Sequence, residues 1–257
     1  CPAEAPKTRV RIHGVADRNR GSRFLMDGED PRTLVRSAAA WALGTFRRNL
    51  LVFVALAAGV TAVQFLQQIS LRPLNDVVDQ CADPQTEGQQ AACASELATR
   101  ALTSGALTLV FAIITVIVTV GVIRAALRST QGREPGFDAL LDGHNLGRYL
   151  GFQLLYAMMA GLGILLCVIP GLLVIFFFQL GPYFVLDRGM RIGEAFTASA
   201  RLIRQNLPAA FLMTVVNALV LLLGGLVYGI LTLVTLPLAT LFTAYLYRRF
   251  NDDPVIG

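Results

Sequence analysis

Four amide side chains interrupt long apolar stretches of the sequence, and an amide in such surroundings needs a polar partner. The four are Gln64, Gln153, Gln179 and Asn217. Between membrane helices, side-chain hydrogen bonds contribute about 0.6 kcal/mol each on average. The simpler interpretation is therefore that these amides join packed helices. The alternative is a polar path for a substrate or a lipid headgroup, centred on Gln179 and Asn217.

Two cysteines, Cys81 and Cys93, enclose a polar segment that contains Pro84 and Gly88. Cysteines in this arrangement indicate a disulfide when the segment faces an oxidising compartment. From chain entropy, closing a loop of this size contributes about 3 kcal/mol. Two free thiols on a short helix are the alternative. A third cysteine, Cys167, lies among apolar residues and is expected to be buried and inert.

The sequence lacks the residue patterns of known catalytic and cofactor-binding sites. It contains no HExxH, no GxSxG, no phosphate-binding loop and no GxGxxG, and its histidines, His13 and His144, are far apart. Its long apolar stretches contain no Asp, Glu, Lys or Arg, so they hold neither a proton relay nor a pair of catalytic acids. We therefore expect that the protein is not an enzyme and has no catalytic residues, no metal site and no cofactor.

The overall composition places these residues in a membrane protein. Of the 257 residues, 54% are hydrophobic and 15% are charged, whereas a soluble protein has about 25% charged residues. So little charge argues against a soluble enzyme and against a disordered chain. A membrane span needs about 20 apolar residues. Six segments meet this need: residues 50–67, 102–123, 150–169, 171–186, 208–226 and 229–247.

Glycine and proline divide the charge-free stretch from Leu150 to Leu186. Ile169-Pro170-Gly171 predicts a turn between the third and fourth spans. Gly181-Pro182 makes the fourth span the weakest, because a helix break inside a membrane needs neighbouring helices to cover the freed backbone groups.

The distribution of charge predicts the orientation of these spans. Of the 22 basic residues, all except Arg72 and Arg100 lie on one side of the predicted bundle. The positive-inside rule places that side in the cytoplasm. Both termini are therefore expected in the cytoplasm, with residues 70–101 as an outer loop. The net charge of +5 then reports topology, and no nucleic-acid partner is needed to explain it.

Three Asn-Leu pairs, at residues 49–50, 145–146 and 206–207, each follow an amphipathic stretch and precede a hydrophobic hairpin. This plan predicts a threefold repeat, and coincidence is the alternative because Asn-Leu is a short match. The first copy starts at Asp30-Pro31, and its apolar face is Leu34, Ala38, Trp41 and Phe46. The apolar face of the second copy is Phe137, Leu140 and Leu141. The apolar face of the third copy is Ile192, Ala195, Phe196, Ser199, Leu202 and Ile203.

Arginines accompany the first and third amphipathic stretches. We expect these stretches to be short helices in the cytoplasmic membrane interface, with guanidinium groups among lipid phosphates. Linker helices packed against the bundle are the alternative. The residues expected to contact lipid are Arg47, Arg48, Arg191, Arg201 and Arg204.

The run IPGLLVIFFFQLGPYFVLDRGMRIGEAFTASARLIRQN resembles a broad bacterial family of polytopic membrane proteins. The features that carry the resemblance are Ile169-Pro170-Gly171, Pro182, Asp187, Glu194-Ala195, Ser199 and Asn206. That family includes the membrane domain of some glycerophosphodiester phosphodiesterases and stand-alone uncharacterised relatives. The resemblance covers roughly the C-terminal half of the chain and implies hairpins without catalytic residues. It does not imply phosphodiesterase activity, because the sequence contains no phosphodiesterase domain.

Together these patterns predict an all-α protein, a six-span transmembrane helical bundle of three hairpins with short cytoplasmic amphipathic helices. Residues 1–30 are expected to form a basic cytoplasmic tail, residues 31–250 the membrane domain and residues 251–257 a cytoplasmic C-terminal tail. We expect a non-enzymatic accessory or scaffold subunit of the bacterial cytoplasmic membrane. Its partners would be membrane lipids and another membrane protein or a second copy of itself. The alternative is a transporter or lipid-handling protein with a polar cavity between spans, which the broken fourth span favours.

Overall fold

The computed structural model of this chain describes residues 30–81, 87–136, 143–225 and 231–256. Within these ranges the regular elements are α-helices, accompanied by an isolated β-bridge between Gln131 and Ile256. The predicted all-α class is therefore confirmed. Three predicted features lie outside the described residues: residues 1–29 of the N-terminal tail, the second amphipathic stretch with Phe137, Leu140 and Leu141, and the turn at residues 226–230.

The described ranges contain nine helices. They are α1 (Pro31–Arg48), α2 (Leu50–Gln80), α3 (Glu87–Thr130), α4 (Leu146–Leu166), α5 (Val168–Phe178), α6 (Gly181–Arg188), α7 (Ile192–Gln205), α8 (Leu207–Gly225) and α9 (Thr232–Phe250).

Five helical segments are long and apolar enough to cross a membrane, as expected of a membrane protein. They are Leu50–Asp79, Gly88–Thr130, Leu146–Leu166, Val168–Arg188 and Leu207–Gly224. These segments contain the first four predicted spans almost completely and most of the fifth. The sixth predicted span, residues 229–247, falls on α9, which is not among the five in the described part of the chain. The number of six spans stays a prediction.

Helix α9 lies at the centre of the fold, where it contacts α1, α2, α3 and α8. Leu241, Ala244, Leu246 and Tyr247 on this helix have no exposed surface. A helix enclosed by protein on several sides does not need a uniformly apolar surface towards lipid. In agreement with this, its composition is less apolar than that of α2, α3 and α8.

Helix α1 begins as the sequence predicts and packs on the flank of the bundle. The Asp30 carboxylate accepts a hydrogen bond from the Arg32 backbone N–H at 3.1 Å, and Pro31 occupies the first helical position. The Trp41 ring lies 5.4 Å from the Tyr245 ring of α9. Ala42 shares a cavity wall with Val216 of α8, and Val216 lies about 14 Å along α8 from its first residue. This packing favours a helix docked on the bundle.

Helices α2 and α3 form a hairpin that is longer than the membrane is thick. They contain 31 and 44 residues, which corresponds to about 46 Å and 66 Å of helix against about 30 Å of hydrocarbon. The predicted outer loop, residues 70–101, is helical at residues 70–80 and 87–101 because both helices continue through it. A Cys81–Cys93 disulfide joins the two helices near the tip.

The α4–α5 hairpin turns at Cys167 and not at Ile169-Pro170-Gly171. Cys167 has an extended backbone (φ −168°, ψ 139°), and α5 begins at the next residue. Pro170 therefore sits in the first turn of α5, where its missing N–H removes no intrahelical hydrogen bond. Gly163 and Gly171 allow the two helices to touch, because a Cβ on Gly163 would lie 2.8 Å from the Gly171 Cα. Cys167 is exposed at this turn, so its predicted burial is wrong.

The fourth predicted span is broken where Gly181-Pro182 indicates. Helix α5 ends at Phe178, Gln179 and Leu180 form a turn, and α6 starts at Gly181. Pro182 lies in the first turn of α6, where a proline is tolerated. Gly181 permits close contact with the Phe152 ring of α4. The neighbouring helix thus covers the break.

Two of the three Asn-Leu junctions have the same geometry. Asn49 joins α1 to α2 with φ −119° and ψ 31°, and Asn206 joins α7 to α8 with φ −125° and ψ 35°. Each asparagine side chain donates a hydrogen bond to the backbone carbonyl four residues before it, Thr45 or Leu202, at 3.3 and 3.0 Å. Asn145 differs, because its backbone is left-handed with φ 62°. The first and third copies of the predicted repeat therefore share a junction.

Candidate functional site

Two of the four predicted amides join neighbouring helices. Gln179 Nε2 donates a hydrogen bond to Thr214 Oγ1 of α8 at 2.8 Å. Asn217 Nδ2 of α8 donates to Thr243 Oγ1 of α9, also at 2.8 Å. These contacts are of the kind that the helix-packing interpretation predicts. Gln179 and Asn217 face different partners, so the described contacts do not link them into a chain of polar groups.

The other two amides occupy different environments. Gln64 is exposed on the surface of α2. Gln153 lies on α4, and its Oε1 atom is buried without a hydrogen-bond partner in the described part of the chain. The Oδ1 atom of Asn217 is also buried and has no hydrogen-bond partner in the described part of the chain.

Asn217 borders a cavity of about 210 Å³ between α1, α8 and α9. The other residues around this cavity are apolar, among them Ala42, Val220, Leu238 and Phe242. A single amide in such a wall can fix the orientation of a bound molecule, while the apolar walls favour a hydrocarbon group. The cavity is therefore suited to an apolar group.

A cluster of charges, which we call the helix-end charge cluster, lies where α6 and α9 end. It consists of Asp187, Arg188, Arg248 and Asp253. Arg248 forms a 2.6 Å ion pair with Asp187, and the exposed fractions of the two side chains are only 11% and 10%. Asp253 bridges the two arginines, at 2.9 Å from Arg188 and 3.3 Å from Arg248. Buried charges need such pairing because water no longer solvates them.

Neutral groups complete the contacts of this cluster. The Tyr247 hydroxyl donates to Asp187 Oδ2 at 3.2 Å, and Arg248 Nε donates to Thr130 Oγ1 at 3.3 Å. The C-terminal tail reaches the same end of α3, where the Ile256 N–H donates to the Thr130 carbonyl at 3.0 Å. Partial burial, and after it the carboxylate of Asp253, raises the pKa of Asp252 beside the cluster. The cluster therefore fastens α3, α6, α9 and the tail together.

Sequence reasoning did not find the helix-end charge cluster. Asp187 and Arg188 end one predicted span, and Arg248 and Asp253 follow another. The opposite charges at the ends of these two spans could have indicated an ion pair between them. The pairing depends on which helix ends meet, and that information is absent from the sequence pattern.

The five arginines predicted to contact lipid are all exposed: Arg47, Arg48, Arg191, Arg201 and Arg204. The predicted apolar face of α7 is confirmed, since Ala195, Phe196, Ser199, Leu202 and Ile203 are buried and the half-buried Ile192 packs against the core. Arg201 and Arg204 border a groove of about 540 Å³ that runs along α7, and we call it the α7 groove. Its walls also include Phe178, Phe196 and Gln205.

The described residues contain no group of three or more His, Cys, Asp or Glu side chains arranged to hold a metal ion. The paired cysteines, Cys81 and Cys93, are joined in the disulfide near the tip of the α2–α3 hairpin.

The comparisons with known proteins identify relatives without a described function. An uncharacterized protein of Mycobacterium bovis and one of Mycobacterium tuberculosis are each 28% identical to the chain over 136 residues. This region is 53% of the chain and 42% of each relative, so the match spans less than half the length of these curated relatives. No solved structure matches the chain significantly. A family profile matches residues 82–248, and the chain thus belongs to the family described as a domain of unknown function, DUF7847.

Proposed function

We propose that this protein is a non-enzymatic membrane protein that acts as an accessory or scaffold subunit. In this proposal it contacts lipids and another membrane protein or a second copy of itself. The observation that carries the proposal is the α2–α3 hairpin. Its buried apolar side chains lie at residues 53–60 of α2 and 120–127 of α3, while Phe65, Leu109 and Ile113 further out are exposed.

This outer half of the hairpin, residues 61–80 and 87–119, we call the arm. It is a pair of long helices whose apolar side chains remain available to other molecules. Of the remaining helices, α1 and α8 pack against α9, while α4, α5, α6 and α7 pack against one another. A large apolar surface on a protruding element is typical of a protein–protein or protein–lipid contact. We therefore assign partner binding to the arm.

The polar groups of the interior support a structural role. Gln179 and Asn217 donate to side chains of neighbouring helices. Asp187 and Arg248 are occupied by each other. Groups engaged in this way stabilise the bundle and leave few free donors or acids for catalysis.

Photo-crosslinking in native membranes tests the proposed partner contact. A photoreactive amino acid replaces Leu109, which is 68% exposed on the arm, and the matched control replaces Val122, 1% exposed on the same helix. We expect a discrete protein adduct from position 109 and none from position 122. An adduct of twice the chain mass would identify a second copy as the partner. Lipid adducts alone at position 109 would refute partner binding by the arm.

A transporter or lipid-handling protein is the second candidate, and two observations favour it. The α5–α6 segment is discontinuous, as helices at transport sites often are. The cavity beside Asn217 has the apolar lining that an acyl chain requires.

The single tryptophan of the chain, Trp41, provides a test of this second candidate, because it adjoins the cavity residue Ala42. Lipids with brominated acyl chains quench tryptophan fluorescence on contact. If an acyl chain enters the cavity, the Ala42→Leu variant, which fills that space, will be quenched less than the wild type. Equal quenching in both proteins would exclude occupation of the cavity.

We also propose that the protein lies in the bacterial cytoplasmic membrane with both termini in the cytoplasm. The distribution of basic residues supports this orientation, and the relatives come from bacteria. The relation to the membrane domain of glycerophosphodiester phosphodiesterases is likewise a proposal, supported by the order of motifs between Ile169 and Asn206.

A further inference from the structure

The α7 groove combines an apolar floor with a cationic rim. Phe178 and Phe196 form the floor, and their rings meet edge to face at 4.8 Å. Arg201 and Arg204, three positions apart and therefore on one side of α7, form the rim. The residues around the groove include no Asp or Glu.

The packing of α7 fixes this arrangement. Ser199 Oγ donates a hydrogen bond to the Phe177 carbonyl of α5 at 2.8 Å. The Phe196 ring stacks on the Phe152 ring of α4 at 4.3 Å. Helix α7 is thus attached to two neighbouring helices, and the rotation that turns its arginines outward is set by those contacts. A site that is already formed loses little conformational entropy when a ligand binds.

Both guanidinium groups remain available to an external anion. Arg201 and Arg204 are exposed, and neither forms an ion pair with a carboxylate within the described ranges. The Arg204 guanidinium lies 5.5 Å from the centre of the Phe177 ring, a contact that orients the side chain without neutralising its charge. The Gln205 amide at the same rim supplies a further donor. Guanidinium groups bind phosphate oxygens through two parallel hydrogen bonds.

We propose that the α7 groove is a binding site for an anionic phospholipid. The phosphate binds to Arg201 and Arg204, and an acyl chain lies on Phe178 and Phe196. A free phosphate would use the arginines but would leave the apolar floor uncovered. Helix α5 also exposes Leu172 and Leu173, which extends apolar surface along the helix that carries Phe178. This inference rests on the membrane location in the proposed function, and it is independent of the proposed partner.

Native mass spectrometry of the full chain in detergent, titrated with phosphatidylglycerol or phosphatidylcholine, tests this site. We expect one retained phosphatidylglycerol per chain and weaker retention of phosphatidylcholine. In the double variant Arg201→Gln/Arg204→Gln, phosphatidylglycerol affinity should fall about tenfold or more, because two charge-assisted contacts to the phosphate are lost. The matched control is Arg32→Gln/Arg36→Gln, which removes the same charge from exposed positions of α1 and should bind as the wild type does.

Several results would overturn the assignment. An equal loss in both double variants would show that net charge and not the groove attracts the lipid. Displacement of the lipid by glycerol 3-phosphate at equal concentration would identify a soluble phosphate ester as the ligand. The variant Arg201→Lys/Arg204→Lys keeps the charge but loses the paired hydrogen bonds, so its affinity should be intermediate. If no protein adduct forms at position 109, partner binding by the arm is refuted, but the lipid affinity of the α7 groove is unaffected. The two proposals can therefore fail separately.

Discussion

At the scale of single residues, Arg248 connects the elements that meet at one end of the fold. Its guanidinium binds Asp187 of α6, Asp253 of the C-terminal tail and Thr130 of α3. The ion pair with Asp187 is nearly excluded from solvent. When one member of a buried ion pair is removed, the remaining charge keeps its desolvation cost without the compensating attraction. Stability should therefore depend strongly on Asp187.

The variant Asp187→Asn tests this dependence. We expect its free energy of unfolding to fall by about 3 kcal/mol, because the Arg248 guanidinium loses its shortest ion pair in a buried position. Thermal unfolding in detergent, followed by circular dichroism, measures the change. The control Asp252→Asn alters an exposed carboxylate whose pKa is already raised, so its effect should stay within about 0.5 kcal/mol. If the thermal unfolding midpoint of Asp187→Asn equals that of the wild type, the Asp253 carboxylate alone is sufficient to compensate the charge of Arg248.

At the scale of elements, close approach of helices depends on particular glycines and not on glycine spacing alone. Gly143, Gly147 and Gly151 recur at every fourth position, a pattern that predicts close helix packing. Of these, only Gly151 has a neighbour, since a Cβ there would lie 2.8 Å from Ile192 Cδ1, whereas the other two face open space. The tight α4–α5 contact uses Gly163 and Gly171 instead, on either side of the turn at Cys167.

The variant Gly171→Ala should weaken the α4–α5 hairpin. Its Cβ would lie 2.6 Å from the Ile164 backbone nitrogen, and a backbone atom cannot move aside as a flexible side chain can. We expect a loss of about 2 kcal/mol, as for other overpacked sites, measured as the thermal midpoint in detergent. Gly161→Ala is the matched control on the same hairpin, where nothing lies near the added methyl group. Because alanine favours a helix more than glycine, the control should equal or exceed wild-type stability.

At the scale of the whole molecule, the helices divide into a packed bundle around α9 and the arm. The bundle contains the buried rings of Tyr149, Phe152 and Tyr247 and ends in the helix-end charge cluster. The arm ends in the Cys81–Cys93 disulfide. In the proposed orientation the cluster faces the cytoplasm, while the disulfide and Cys167 face outward. The proposed orientation therefore assigns the thiol of Cys167 and the disulfide to the same, outer side of the membrane.

Cysteine labelling tests the orientation of the molecule. In intact cells carrying a Cys1→Ser variant, a membrane-impermeant maleimide should label Cys167 without reduction, because this thiol is exposed. Cys81 and Cys93 should react only after reduction, since a disulfide presents no thiolate to the reagent. Adding Cys167→Ser should abolish the signal obtained without reductant. Labelling of Cys167 only in inverted vesicles would reverse the proposed topology.

The sequence by itself determined the class of the protein, the start of α1 and the apolar face of α7, because these depend on local properties. Apolar segments with no charge predict membrane-spanning helices, and this prediction does not depend on how the helices pack together. The Asp30-Pro31 start and the apolar face of α7 also follow from local rules, capping in one case and helical periodicity in the other. The structure agrees with the helix start and the apolar face, and five of its helical segments are long and apolar enough to cross a membrane.

Only the tertiary structure decided which helix ends meet, and with them the groups that form sites. Asp187 and Arg248 are 61 residues apart, and their pairing depends on how α6 and α9 pack together. The α7 groove likewise needs Phe178 of α5 beside Arg201 of α7. Periodicity assigns a side chain to a face of its own helix. The neighbour that covers that face is chosen by packing over the whole bundle, where steric fit and charge pairing act between distant parts of the chain.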